Sequence, residues 1–309
     1  MRIPTAELLK PTNKGSVLLV GDAGTGKTYS IATLRRWLRL HSYPTKILYF
    51  DFDGDGSDTL LSLARDGRES FDKSNRVPPW VEDIELHRYQ KLSLNIGLAI
   101  GSAATAPSRD AGVAAEFHKD FNALEDRLEP GNRGARKWKP GQEAGICVFD
   151  SLTSLQDIYE DFLWVLRKRE IGGIDMNNVN SKTGIPTDAV NWDDWRLLGE
   201  KVTSAYMSAK QLPCFLVCTV HEDYREESVK PANANRQPVA TGRYHKLPLL
   251  TPSLAKLIAR DFGIVLYCTP DFKWYVRATE GNHVKGAKTR FRDDLPLFCE
   301  QNFANILEA

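Results

Sequence analysis

The stretch that decides the fold lies near the start of the chain and reads Gly21-Asp22-Ala23-Gly24-Thr25-Gly26-Lys27-Thr28. Its spacing is that of the Walker A motif, Gly-x-x-x-x-Gly-Lys-Thr. Glycines let such a loop wrap closely, with its backbone N–H groups turned inward. A lysine at this position neutralises the β- and γ-phosphates, and a threonine hydroxyl takes one magnesium position. The motif therefore predicts that Lys27 binds the triphosphate of ATP and that Thr28 ligates Mg²⁺.

The residues on either side of this loop support that interpretation. Residues 17–20 form a short continuous apolar run, which is typical of a strand buried on both faces of a parallel sheet. Residues 29–40 carry apolar side chains at helical spacing. A helix that begins here points its positive end at the phosphates. Tyr29, the first residue after the motif, completes the predicted nucleotide-binding set.

Strands and helices alternate through the rest of the chain. Strand-like runs occur at residues 46–51, 85–89, 146–150, 213–220, 257–259, 264–268 and 273–278. Helical periodicity is found at residues 114–128, 155–168 and 192–211, and we expect a short helix at the end of the chain. This alternation predicts an α/β fold with a mostly parallel sheet and helices on both of its faces. The length of 309 residues suits one large domain or a core with an insertion.

Composition limits the class of protein. Apolar residues make up 42% and charged residues 26%, the balance of an ordinary globular protein. The net charge is +1, so contact with nucleic acid would have to come from local basic patches. The sequence has neither a signal peptide nor a long apolar run, which predicts a soluble, intracellular protein without membrane contact. Its 5 cysteines form no CxxC pair, which favours buried apolar positions over a zinc site.

Acidic residues follow two of the predicted strands. Asp150 ends the run at residues 146–149, where a Walker B carboxylate holds magnesium through water. Asp51 and Asp53 end the second strand, and the carboxyl ends of neighbouring parallel strands face one crevice. We predict Asp53 as the general base that orients the attacking water. The alternative is a loop acid that only favours a turn.

Polar residues also end the strand predicted at residues 213–220. Thr219 and His221 lie where a side chain can sense the γ-phosphate and pass the change to the following loop. His221 is therefore a candidate site residue. The alternative is a solvated histidine at the end of a strand.

Together these motifs resemble the core of RecA-type ATPases. The resemblance rests on the Walker A loop, on residues 47–53, and on the continuation Asp150-Ser151-Leu152-Thr153, which is more typical of RecA, RadA and KaiC relatives than of kinases or GTPases. It covers about residues 15–292 and is nearest to the compact phage-encoded RecA-like ATPases, some of which bind single-stranded DNA and promote annealing. Asp53 falls where this family has a catalytic glutamate, so the chain departs from the pattern there.

The resemblance implies an ATPase that acts on single-stranded DNA in recombination or annealing. It implies a homo-oligomeric ring or filament with ATP at the subunit interfaces, a single-strand DNA-binding protein as a partner, and a location in the cytoplasm of a phage's host. Alternatives that share the motifs are a helicase or genome-packaging motor, a small-molecule P-loop kinase, and a nucleotide-gated binding module without hydrolysis.

The resemblance also places DNA-facing loops at residues 167–192 and 224–246. The second is expected to be a flexible basic loop suited to phosphate contacts, and its basic residues are Arg225, Lys230, Arg236, Arg243 and Lys246. Lys288 and Arg290 match the place of family residues that act in trans on the ATP of a neighbouring subunit. The alternative for both segments is an ordinary solvated basic loop.

One departure from the family concerns length. The interval between Lys27 and Asp150 is long for a RecA core, so about residues 66–143 are expected to contain an insertion within a single domain of residues 1–309. This interval includes a basic cluster with one tryptophan at residues 133–139, which could hold a nucleic acid or be a surface loop.

Overall fold

The computed structural model describes residues 15–89, 109–128, 144–170, 192–212, 214–229, 239–278, 286–289 and 295–308. Within these residues, nine strands form the main sheet: β1 (Ser16–Val20), β2 (Lys46–Asp51), β3 (Ile84–Arg88), β4 (Ala144–Asp150), β5 (Phe215–Val220), β8 (Ile264–Cys268), β9 (Lys273–Tyr275), β10 (Lys288–Thr289) and β11 (Phe298–Glu300). The strands β6 (Glu222–Val229) and β7 (Val239–Pro248) form a separate two-stranded sheet.

Helices complete the described part of the chain. They are α1 (Lys27–Leu40), α2 (Gly56–Arg65), α3 (Arg109–Leu128), α4 (Leu152–Glu170), α5 (Trp192–Ala209), α6 (Pro252–Asp261) and α7 (Ala304–Leu307), with a 3-10 turn at Val81–Asp83. None of these helices combines the length and the hydrophobicity that crossing a membrane requires.

The main sheet is mostly parallel, as predicted. Its parallel part has the order β3-β2-β4-β5-β1-β8, and β9, β10 and β11 extend it with antiparallel pairs beyond β8. β1 therefore lies inside the sheet, paired with β5 on one side and β8 on the other. The carboxyl ends of β1, β2, β4 and β5 consequently meet at one edge, where ligands bind in open α/β sheets.

Alternate residues of β1 enter the two cores that cover the sheet. Leu18 and Val20 pack in a cluster that also contains apolar side chains of α3, α4, α5 and α6. Val17 and Leu19 pack in a second cluster with side chains of α1, α2 and α7. All four β1 side chains are fully buried. Helices therefore cover both faces, which confirms the predicted α/β layering.

Two local expectations are wrong. Residues 257–259, predicted as a strand, lie in α6, because Leu254, Ala255 and Ile258 form a buried stripe at helical spacing. The described ends of the expected flexible loop, residues 224–229 and 239–246, form the antiparallel hairpin β6–β7, whose register joins Tyr224 to Lys246 and Glu226 to Tyr244. Backbone hydrogen bonds between these strands override a polar composition that looks loop-like.

The described parts of residues 66–143 extend the core. β3 pairs in parallel with β2 and adds a strand to the sheet. Phe117 and Phe121 of α3 pack edge-on against Phe149 of β4 within the same core cluster. The basic cluster at residues 133–139 lies outside the described residues, as does most of the predicted DNA-facing segment at residues 167–192.

Candidate functional site

A cleft of about 700 Å³ opens at the carboxyl ends of the parallel strands. It brings together residues as far apart in the sequence as Ala23 and Phe272. The predicted site residues in its wall are Ala23, Gly24, Gly26, Lys27, Thr28, Tyr29, Asp53, Asp150 and His221. Gly21, Asp22 and Thr25 belong to the same glycine loop, between β1 and α1.

The glycine loop holds Lys27 in a buried position. Its Nζ donates hydrogen bonds to the carbonyls of Gly21 and Asp22 at 2.7 and 2.8 Å. Lys27 is 8% exposed, and no carboxylate in the described part of the chain forms an ion pair with it. A buried cation without a carboxylate partner is electrostatically incomplete, so this position favours an anionic ligand.

The backbone of the loop has the conformation that its glycines permit. Gly24 and Gly26 have φ angles of 77° and 84°, in the left-handed region that side chains with a Cβ disfavour. Gly26 precedes α1, which has neither a side-chain cap nor an acidic residue in its first turn. The first N–H groups and the positive end of α1 are consequently directed at the cleft without an internal anion to occupy them.

Asp150 lies in the wall of the cleft at the end of β4 and is only 3% exposed. Its two carboxylate oxygens accept hydrogen bonds from the hydroxyls of Tyr49 and Thr219. Burial raises the pKa of Asp150; these two hydrogen bonds oppose the increase, and the nearby charge of Asp53 adds to it. Tyr49 also reaches the hydroxyl of Thr28, so it connects the two predicted magnesium residues.

The residues around Thr28 fit a magnesium ion. Mg²⁺ prefers oxygen ligands and keeps several of its waters. In such a site the Thr28 hydroxyl would be a direct ligand, and the buried carboxylate of Asp150 would supply the negative charge that holds a bound water. Both residues line the same cleft as Lys27.

Asp53 also faces the cleft, at the end of β2. Its Oδ1 accepts hydrogen bonds from the hydroxyls of Ser151 (2.9 Å) and Ser154, and its Oδ2 lies 3.4 Å from Nε2 of His221. Partial burial raises the pKa of Asp53, but the hydrogen bonds from His221, Ser154 and Ser151 outweigh that effect and lower it. Asp53 is therefore held as a carboxylate within the site.

Asp51 does not face the crevice, contrary to expectation. It is fully buried, and its carboxylate accepts hydrogen bonds from the N–H of Gly54 (2.7 Å) and from the N–H and hydroxyl of Ser57. Because Gly54 lies in the turn after β2 and Ser57 in the first turn of α2, Asp51 holds these two elements together, and of the two aspartates only Asp53 lines the cleft.

His221 connects the cleft to the hairpin. It follows β5, and its N–H donates to the Thr153 hydroxyl at 3.1 Å. Its carbonyl accepts a hydrogen bond from the N–H of Leu249, directly after β7, at 2.7 Å. The residue that contacts Asp53 is thus bonded to the end of the hairpin.

The hairpin exposes two tyrosines on one face. Tyr224 and Tyr244 are 53% and 50% exposed, and their strand register places them diagonally on the same side. The Lys246 ammonium lies 5.0 Å from the ring centre of Tyr224 and also pairs with Glu222. Arg225 lies on the other face, where it donates to Asp223 and to the Leu250 carbonyl.

Several predicted cations cannot be placed at the site. Lys230, Arg236 and Arg290 lie outside the described residues, and so does the side chain of Arg243. Lys288 is in β10, opposite Val265 of β8, and is not among the described residues that line the cleft. Its role at the ATP of a neighbouring subunit stays a prediction.

The cleft also contains residues that the sequence did not single out. Phe272 lines it from the turn between β8 and β9. Phe71 stacks on Tyr29 with ring centres 3.8 Å apart, and its ring centre is 5.2 Å from that of Phe272. Phe71 and Phe272 are 41% and 43% exposed. These three rings form an apolar surface beside the glycine loop, assembled from three separate parts of the chain.

No protein-family model matches this chain. No curated protein matches it either. The chemistry of the cleft therefore rests on its own residues: a buried cation, the carboxylates of Asp53 and Asp150 in different environments, and an exposed aromatic surface.

Proposed function

We propose that this chain is a magnesium-dependent ATPase with a RecA-like core that acts on single-stranded DNA. The observation that carries the ATPase proposal is Lys27, a buried ammonium in a glycine loop with no carboxylate partner among the described residues. A triphosphate supplies the missing negative charge. It would also accept hydrogen bonds from the N–H groups at the start of α1.

The arrangement of strands supports a RecA-like core. β5 lies between β1 and β4, so the ends of three adjacent strands carry the glycine loop, His221 and Asp150. Thr219 of β5 donates to Asp150 of β4, which joins two of these ends directly. A nucleotide held on the glycine loop would thus contact groups from both neighbouring strands.

The residues of the cleft can perform hydrolysis. When Mg²⁺ is bound at Thr28 and, through water, at Asp150, the chemistry it supplies is neutralisation of charge on the phosphates. Lys27 stabilises the same developing charge. Asp53 accepts a hydrogen bond from a water whose oxygen bonds to the γ-phosphorus while the bond to the leaving ADP oxygen breaks, and the proton of this water passes to an oxygen of the released phosphate. Because its pKa is lowered, Asp53 contributes mainly by orienting this water.

The aromatic surface supports a nucleotide with a planar base. Tyr29 follows the glycine loop directly, and Phe71 and Phe272 extend an exposed apolar surface from it. A base bound there would stack on these rings and remove their exposed apolar area from water. This surface favours ATP over inorganic triphosphate.

The hairpin supports contact with single-stranded nucleic acid. Its exposed pair Tyr224 and Tyr244, with Lys246 beside them, has the combination of aromatic and basic groups on which successive bases stack. The His221 backbone bond to Leu249 joins this hairpin to the cleft. Nucleotide and DNA binding would therefore affect each other, with equal coupling in both directions.

The test is ATP hydrolysis with Mg²⁺, measured with and without single-stranded DNA on wild type, Lys27→Ala and Lys256→Ala. Lys256 is an exposed lysine of α6, so its substitution removes the same charge away from the cleft. We expect DNA-stimulated release of phosphate by wild type and Lys256→Ala and none by folded Lys27→Ala. Turnover by Lys27→Ala would contradict the proposed site. Phosphate transfer to an acceptor would instead establish a kinase, and strand unwinding a motor.

A further inference from the structure

Gln301 lies behind the glycine loop, directly after β11, and its side chain is completely buried. Its amide Nε2 donates to the Thr25 carbonyl at 2.7 Å and to the Lys273 carbonyl at 3.3 Å. Its Oε1 accepts a hydrogen bond from the Ser30 hydroxyl at 3.4 Å. One side chain therefore joins the glycine loop, helix α1 and the first residue of β9, which directly follows Phe272.

An amide is suited to this position by its hydrogen-bonding groups. Its NH₂ group has two donors for the two carbonyls, and its oxygen can accept from a hydroxyl. A carboxylate of the same shape would present an acceptor to two carbonyl oxygens. An alkyl side chain would remove the Nε2 donor from the Thr25 carbonyl, whereas the Lys273 carbonyl would keep its hydrogen bonds from Thr269. The site is also tight, since a Cβ on Gly26 would overlap Gln301 Oε1 and lie 2.9 Å from the ring of Phe272.

The bond to Thr25 has a consequence for the opposite side of the loop. The Thr25 carbonyl and the Gly26 N–H belong to one planar peptide, in which they point in opposite directions. Because Gln301 holds the carbonyl from behind, the Gly26 N–H is turned away from Gln301. Gly26 lines the cleft, so this N–H is turned toward the space where a phosphate would be bound.

We propose that Gln301 is a positioning residue that sets the Thr25–Gly26 peptide for phosphate binding and fixes the Phe272 turn relative to the glycine loop. This inference rests on the proposed nucleotide site. Besides the Nε2 bond to Lys273, the Gln301 backbone N–H donates to the Phe272 carbonyl at 3.2 Å. The phosphate-binding loop and the aromatic surface are thereby held at a defined separation. This reduces the entropy that is lost when a nucleotide binds to both of them.

The test compares Gln301→Glu and Gln301→Met with Asn305→Asp. Asn305 is an exposed amide four residues later, so it controls for an amide-to-acid change in the same segment. The first measurement is hydrogen exchange of the peptide that covers residues 21–30 in the protein without nucleotide. The second is the Kd of a fluorescent ATP analogue with Mg²⁺. Thermal unfolding reports whether each variant is folded.

For both Gln301 variants we expect faster exchange confined to residues 21–30 and the Phe272 turn, with the Kd raised roughly tenfold through loss of a buried hydrogen-bond pair. Asn305→Asp should match wild type. Wild-type exchange and affinity in Gln301→Met would overturn the proposal, as would faster exchange throughout the molecule, which indicates only a structural role. If wild type binds no ATP analogue, the proposed function fails, whereas the exchange measurement still tests the anchoring of the loop.

Discussion

Asp53 and Asp150 are bonded neighbours whose pKa values are displaced in opposite directions. The Asp53 N–H donates to the Asp150 carbonyl at 3.3 Å, and both side chains line the cleft. Burial dominates at Asp150 and raises its pKa, whereas hydrogen bonds from His221, Ser154 and Ser151 overcome partial burial and lower that of Asp53. The two carboxylates should therefore have opposite effects on stability at neutral pH.

Asp53→Asn should lose stability and turnover together. The pKa of Asp53 is lower in the folded protein than its value of 3.8 in the unfolded chain, so ionised Asp53 stabilises the fold at pH values above 3.8. This contribution is lost as the pH falls through the folded pKa. At pH 7 we expect a loss of about 1 kcal/mol, because the site is partly exposed, and a turnover at least about 100-fold slower. Urea unfolding from pH 3 to 7 and phosphate release measure the two effects. Asp66→Asn, an exposed control, should change neither.

Asp150→Asn should stabilise the protein while it abolishes magnesium-dependent turnover. Because the pKa of Asp150 is raised in the folded protein, this carboxyl ionises at a lower pH in the unfolded chain. The free energy of unfolding of the wild type therefore falls as the pH rises from 3.8 to the folded pKa of Asp150. The stability advantage of Asn should thus grow over that range and then level off. An advantage that shrinks with rising pH would contradict the burial explanation. The measurement is the denaturant midpoint at a series of pH values.

Gly56→Ala should damage the magnesium side of the cleft. A Cβ at Gly56 would overlap a carboxylate oxygen of Asp150 and lie 2.8 Å from the hydroxyl of Tyr49. We expect a loss of about 1–3 kcal/mol in unfolding free energy, as for an overpacked core, and a weaker dependence of nucleotide binding on Mg²⁺.

Gly199→Ala is the matched control for this substitution. Gly199 lies within α5, and a Cβ there would meet no atom within 4 Å. Alanine is favoured over glycine inside a helix, so this variant should gain about 0.5–1 kcal/mol. Equal effects of the two substitutions would show that Gly56 has no special packing role.

Phe272→Ala should weaken ATP binding and leave inorganic triphosphate binding unchanged. The proposed base surface includes Phe272, while Lys27 and the glycine loop hold the phosphates. Loss of stacking worth about 1–3 kcal/mol corresponds to an affinity at least roughly fivefold weaker. Phe298→Ala removes a ring of similar exposure, 42%, from β11 and should bind both ligands like wild type. Competition titrations with the two ligands measure the difference, and equal losses for both would exclude the base surface.

Tyr244→Ala should weaken binding of single-stranded DNA without changing its salt dependence. Stacking releases no counterions, so only the affinity should fall, by about 1–3 kcal/mol for a stacked base. ATP turnover in the absence of DNA should be retained, because Tyr244 is on the hairpin and does not line the cleft. Fluorescence anisotropy at several salt concentrations provides the test. A changed slope with unchanged affinity at low salt would argue against stacking.

The predictable part of the fold is the part determined by contiguous residues. β1, the glycine loop and α1 were expected from an apolar run, a spaced motif and helical periodicity, because each signal lies within a few turns of backbone. The hairpin was missed because its stability comes from pairing between strands whose own composition is polar. α6 was missed in part because a short apolar run is ambiguous between strand and helix.

Only those site residues that belong to a recognisable sequence pattern could be predicted. Lys27 and Thr28 are part of the Walker A motif, and Asp150 ends an apolar strand. Tyr49 looks like any aromatic residue of a buried strand, and its bond to Asp150 depends on the pairing of β2 with β4. Gln301 contacts Thr25 across nearly the whole chain. Contacts of this kind follow from tertiary packing, which neither spacing nor composition reveals.

The position of β1 inside the sheet has a consequence for how the protein is made. Ser16 pairs with Leu216 and Val17 with Ile264, so β1 is synthesised long before both of its partner strands and can pair fully only after β8 has left the ribosome. Until then at least one edge of an apolar strand is open to other chains, a situation that favours aggregation. Gln301 arrives later still. The glycine loop is thus translated before β5, β8 and Gln301, and it acquires its full set of contacts only when all three have been made.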